Sequence, residues 1–234
     1  MTARAISKAL RELANPDIAE HSKRFFKTGK GEYGEGDKFL GIRVPLIRRQ
    51  AKQFRDTSLA EVGKLLESGY HEERLCAVLI LVLQFDGAAE QQKKAIYELY
   101  LSSTAYVNNW DLVDSSAHLI VGPYLERRSR RRLYKLARST DLWERRIAIM
   151  ATYHFIRNGD FDDTLALAEL LLHDDHDLIH KAVGWMLREV GNRDRRAEED
   201  FLESHYREMP RTMLRYAIEK LPERRRQAYL KGRV

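Results

Sequence analysis

The chain has 234 residues, a formal net charge of +6 and a pI of about 9.3. Its 44% hydrophobic content supports a packed core and argues against a disordered polar chain, and no apolar run reaches the length that spans a bilayer. Of the 41 basic residues 28 are arginine, and they are spread unevenly: residues 1–121 hold 17 basic against 16 acidic side chains, residues 122–234 hold 24 against 19. Such a balance permits nucleic-acid binding without establishing it.

The N-terminal stretch MTARAISKALRELANPD interrupts its apolar positions with charges and does not read as a secretory signal. The glycine-rich TGKGEYGEGDKFLGIRVP lacks the spacing of a phosphate-binding P-loop and precedes no strand, so it reads as a loop. Helical periodicity follows in LIRRQAKQF, LAEVGKLLESG, LCAVLILVLQF and QQKKAIYELYL, and again in TLALAELLL. Cys76, the single cysteine, lies in the third of these. It reads as a small buried hydrophobe, and its solitude excludes an internal disulfide and fits a reducing cytoplasm. Helix-stopping Gly or Pro and capping Asp, Ser or Thr punctuate the chain at SGYHEE, FDGAAE, VGPYLE, RSTDLWE, RNGDFDD, LHDDHD, VGNRDR, REMPR and KLPER. The pattern predicts an all-α chain of about a dozen or more helices.

These helices repeat. Arg74, Trp110, Arg146, Ala182 and Ile218 stand 36 residues apart, and the first four are followed by recognisably the same helix; the fifth is degraded, as an end-cap would be. Residues 69–234 carry the clearer repeats of about 36 residues, while 1–68 are less regular. A unit of that size cannot bury its apolar face alone, so stacking predicts one domain, 1–234, a curved α-solenoid with a concave face. Capped ends favour a monomer.

Three residues break the repeated frame. The column of Asp114 otherwise holds Val78, Met150 and Met186, so a carboxylate replaces an apolar side chain. Trp110 lies one turn earlier on the same side of the helix. Trp185 falls in the column of Ala77, Val113 and Ile149. With Arg146, a candidate partner of Asp114 or of a phosphate, they make a set of two aromatic surfaces, one acid and one guanidinium fork. An aromatic pair can hold a sugar or base, and a carboxylate stabilises the positive sugar formed when an N-glycosidic bond breaks. A second carboxylate is unnecessary when the departing base is already positively charged. Asp111 points about 100° away around the helix and reads as a surface or capping residue. His176 and His180, at i, i+4, have a spacing that suits a metal, but HDDHDLIH reads more simply as a helix-entry turn, and no metal is expected. The basic run ERRSRRRLYKLAR reads as a basic helix face, either one that touches phosphates or a solvated outer face.

The segments KFLGIRVPLIRRQAK, NNWDLVDS, LWERRIAIMAT and HKAVGWMLREVG, in that order, resemble the AlkD-type DNA alkylation-repair glycosylases built from HEAT-like repeats. The resemblance implies a single right-handed HEAT-like α-solenoid whose concave basic face cradles duplex DNA containing alkylated bases. It further implies hydrolytic release of positively charged 3- and 7-alkylated purines without base flipping, metal or organic cofactor. It places the catalytic carboxylate on Asp114, the sugar-contacting indoles on Trp110 and Trp185, and the active-site arginine on Arg146. Arg43, Arg48 and Arg188, and after them Arg193, are the expected phosphate contacts. Asn109 departs from the pattern, since one family member has Trp there. The rival expectation is a non-enzymatic helical scaffold that binds DNA or protein.

Overall fold

The computed structural model describes residues 1–234, 67% of them helical, with no strand and one isolated bridge between Lys38 and Tyr70. The chain forms two compact units, Met1–Ile120 and Val121–Val234. The first holds α1 (Ala3–Arg11), α2 (Pro16–Phe25), α3 (Val44–Gln53), α4 (Leu59–Leu66), α5 (His71–Phe85), α6 (Glu90–Ser102) and α7 (Trp110–Asp114). The division falls within α8 (Ala117–Leu125). The second unit continues with α9 (Arg131–Ala137), α10 (Leu142–Ala151), α11 (Tyr153–Arg157), α12 (Asp162–Leu170), α13 (Asp177–Gly191), α14 (Arg195–His205), α15 (Arg211–Ala217) and α16 (Glu223–Leu230). No helix is long and apolar enough to cross a membrane.

In the first unit α5 is the hub. Every residue from His71 to Leu81 is buried, and the helix packs against α3, α4, α6 and α7. An all-round buried helix must also dispose of its polar first turn. Glu72 accepts the backbone N–H groups of Leu40 (2.9 Å), Gly41 (2.7 Å) and Ile42 (3.2 Å). Glu73 accepts from Ser7, from Arg11 Nε (3.1 Å) and from Ser68 Oγ (2.6 Å). Carboxylates at a helix N-terminus are favoured by its dipole, and here they also bind the glycine-rich loop and α1 to the hub. Gly41 sits at φ +78°, and a Cβ there would lie 2.0 Å from the Asn15 carbonyl oxygen, so only glycine fits.

In the second unit α10 packs on α9 and α13, and α13 packs on α14 and α15. Gly184 lets α13 approach closely: a Cβ would fall 2.4 Å from the Met213 carbonyl oxygen. Asp141 caps α10 through Trp143 N (2.7 Å) and Glu144 N (3.0 Å), as the punctuation predicts. His176 likewise caps α13, its Nδ1 accepting from Leu178 N at 3.1 Å, and His180 Nε2 meets the Asp174 carbonyl. Both histidines serve the helix-entry turn. The basic run is not wholly solvated. Arg130 pairs with Asp160 (2.7 Å) and Asp163 (2.6 Å) and lies 3.8 Å above the Phe155 ring.

The repeat frame is visible within each unit. Helices that carry adjacent members of the 36-residue column are neighbours: α5 packs on α7, and α10 on α13.

Glu198 of α14 is 3% exposed, its carboxylate lies against Gly191, and its Oε1 has no hydrogen-bond partner. Burial pushes its pKa up to about 8. A carboxyl raised in the folded state favours the fold while protonated, and that contribution drains away as pH climbs from about 4.5 through 8. Glu198→Gln cannot ionise. Its melting temperature is expected to gain on the wild type progressively between pH 5 and pH 8 and then to hold a constant lead, as thermal melts across that range will show.

Candidate active site

α7 is five residues long, too short to persist by itself. Asn109, fully buried, supports its start: the Asn109 Oδ1 accepts the Trp110 N–H at 2.9 Å. Trp110 is thus the first helical residue and Asp114 the last. The one-turn relation expected from the sequence holds, and it gives the carboxylate the negative end of the helix, where no dipole helps it.

The frame-breaking residues also differ from their sisters in exposure. Val78, Met150 and Met186 are buried, whereas Asp114 is half-buried; Ala77, Val113 and Ile149 are buried, whereas Trp185 is half-buried. Asp114 opens onto a cavity of about 430 Å³ whose wall includes Arg48, Lys52, Leu79, Val82, Ser115 and His118. Arg48 and Lys52 are one turn apart on α3, exposed and without an ion pair. Burial pushes the Tyr100 hydroxyl pKa up, against a hydrogen bond from Ser116, and the charge of Asp114 pushes the same way.

Trp110 rests on an aromatic layer. Its indole stacks on Phe26 with centroids 5.4 Å apart and meets Phe25 edge-on at 5.9 Å. Phe26 in turn stacks on Phe39 at 5.2 Å. Phe25 is 56% exposed, so the layer reaches solvent.

Asp111 is not the surface residue its helical angle suggested. Its Oδ2 lies 2.8 Å from Nε2 of the buried His71, and the His71 Nδ1 lies 3.3 Å from Asp37 Oδ2. Arg74 Nη2 donates to Asp37 Oδ1 at 2.6 Å. Burial would pull the His71 pKa down, but the charge of Asp111 and the two carboxylate contacts outweigh it and push it up to about 9. Burial would likewise raise Asp37, and its contacts with His71 and Arg74 hold it below the usual carboxylate range. Nothing within NNWDLVDS announces this cluster, because its other members lie 37 to 74 residues earlier in the chain than Asp111.

The remaining expected residues fall in two classes. Arg43, like Arg48, is exposed and forms no ion pair. In the second unit, Arg188 pairs with Glu219, and Arg193 pairs with Glu189 at 3.0 Å. Glu189 also accepts the Trp185 indole N–H at 3.3 Å. Arg146 is 4% exposed and donates to the Leu178 carbonyl in the first turn of α13.

α7 thus carries a half-buried carboxylate and an indole, and the exposed cations Arg48 and Lys52 line the cavity onto which the carboxylate opens. The family model described as DNA alkylation repair enzyme matches residues 6–221, and the chain belongs to that family. A solved structure described as a predicted DNA alkylation repair enzyme from Enterococcus faecalis superposes with a TM-score of 0.69 at 15% identity. The match covers 90% of this chain and 97% of that one, and at that identity it speaks for the fold. No curated protein matches.

Loss of the cap tests how α7 is held. Asn109→Ala is expected to destabilise the protein by about 1 kcal/mol, read by denaturant unfolding.

Proposed function

We propose that the protein is a DNA glycosylase that hydrolyses the N-glycosidic bond of positively charged 3- and 7-alkylated purines in duplex DNA, without flipping the base. The observation that carries this reading is Asp114: a half-buried carboxylate, in a column otherwise filled by Val78, Met150 and Met186, facing a cavity that Arg48 and Lys52 also line. Membership of the alkylation-repair family supplies the substrate class.

In this mechanism the bond between C1′ and the purine nitrogen breaks with its electron pair going to the base, which leaves neutral. Positive charge moves to the deoxyribose, where Asp114 stabilises it, and water adds to C1′ and gives up a proton. The indole of Trp110 offers an apolar face to the sugar, and Trp185 and Arg146 enter the same reaction by resemblance. Arg43, Arg48, Arg188 and Arg193 take phosphates. The chain would work as one right-handed HEAT-like array with a concave basic face, as a cytoplasmic monomer. The competing scaffold reading draws on Arg146, whose tie to Leu178 is architectural.

Asp114→Asn keeps size and removes charge. Single-turnover release of 7-methylguanine is expected to fall roughly 10–1000-fold, because one electrostatic contact to a transition state is worth on the order of 2–4 kcal/mol. DNA affinity and melting temperature should change little. A stable Asn variant that excises at the wild-type rate would remove Asp114 from the reaction.

The cations give a second test. Arg48→Ala is expected to weaken binding evenly across sequences and to reduce the salt slope of log K by about 1. Arg193→Ala should do less, because Arg193 must first leave Glu189.

A further inference from the structure

His71 is 2% exposed, and both its ring nitrogens face carboxylate oxygens, Asp111 Oδ2 at 2.8 Å and Asp37 Oδ2 at 3.3 Å. A neutral imidazole has one N–H and would turn a bare lone pair toward one of those oxygens; the imidazolium has two. The charge count agrees. Asp37 and Asp111 are two buried or half-buried carboxylates, and Arg74 supplies one positive charge. A protonated His71 supplies the second. The other acids of the same turn are committed elsewhere, Glu72 to the backbone N–H groups of residues 40–42 and Glu73 to Ser7, Arg11 and Ser68. The face of the ring is used as well: it lies 4.7 Å from Phe26 and 4.9 Å from Phe39, and Phe26 carries the Trp110 indole.

We propose that His71, held as an imidazolium between Asp37 and Asp111, is a positioning residue for Trp110. It anchors the first turn of α7 through Asp111 and sets the plane of Phe26, on which the indole lies. The catalytic consequence rests on the glycosylase reading; the placement of the indole does not. The raised pKa of about 9 supplies a switch for testing it. The folded state favours the cation, so the anchor is complete below about pH 6.5 and lost as pH rises through 9. Asp37, Asp111 and Arg74 are the charged groups that face the ring, and burial and Arg74 oppose the cation while the two acids favour it.

The test uses the full chain with its three tryptophans replaced by 5-fluorotryptophan, the Trp110 fluorine signal being assigned with Trp110→Phe. Titration of the free protein from pH 7 to 10.5 is expected to move the Trp110 signal in a step centred near 9. His71→Gln should displace that signal already at pH 7 and abolish the step. Asp111→Asn, which leaves the ring in place, should lower the midpoint by at least about one unit. At pH 7.5, His71→Gln is expected to slow single-turnover excision roughly 10–100-fold, as a misplaced contact does, with DNA affinity nearly unchanged. A Trp110 signal constant to pH 10.5, or an unaltered step in His71→Gln, overturns the proposal. Should His71→Gln fail to fold, the wild-type step and its movement in Asp111→Asn decide the matter. A wild-type protein that excises nothing contradicts the glycosylase reading alone, because the fluorine titration needs no activity.

Discussion

Four ionisable side chains, buried or half-buried, meet at one point of the first unit: Asp37 from the glycine-rich loop, His71 and Arg74 from α5, and Asp111 from α7. Removing charge from water is costly unless it is paired with good geometry, so the loss of any one of the four weakens the hold on the others. The pairing therefore fixes a loop, the hub helix and a five-residue helix in one arrangement. α7 is otherwise held by its Asn109 cap, by its packing on α5 and by the stacking of Trp110 on Phe26. The location of Trp110 and Asp114, and hence of whatever chemistry they perform, depends on this cluster.

The helical character was legible because apolar spacing and turn punctuation agree along the whole chain, and neighbouring members of the 36-residue column do pack together within each unit. Asp114 was legible for a related reason: a carboxylate among Val78, Met150 and Met186 violates burial, and only the repeat shows what should have stood there. The pairing of Asp111 is not legible on α7 alone, because His71 reaches it from 40 residues earlier in the chain. The commitments of the arginines were equally hidden. Arg188 and Arg193 meet Glu219 and Glu189, and Arg146 meets a backbone carbonyl, while Arg43 and Arg48 stay unpaired; one arginine looks like another until its neighbours are known. Residues 1–68 bury apolar positions too, but they add singular contacts, such as Glu72 with the amides of 40–42, that no repeat signals.

The family-like segments carry architecture as well as chemistry. In KFLGIRVPLIRRQAK, Gly41 is demanded by its backbone and by the Asn15 carbonyl, and Phe39 belongs to the layer beneath Trp110. In HKAVGWMLREVG, Gly184 is demanded by the approach of α15. In this chain such residues serve the fold, whatever the chemistry. The proposed chemistry rests on fewer positions, chiefly Asp114 and the indole of Trp110, both carried by α7.

Alkylated DNA can be repaired by cutting the damaged base away or by stripping the alkyl group from it, and a scaffold would do neither. The most direct measurement is the product balance after wild-type protein acts on duplex DNA carrying 7-methylguanine. The expected outcome is free 7-methylguanine and abasic sites in equal amounts, with the sugar–phosphate backbone intact until alkali is added. Methyl groups lost without release of base, or bound DNA recovered with every lesion in place, would contradict it.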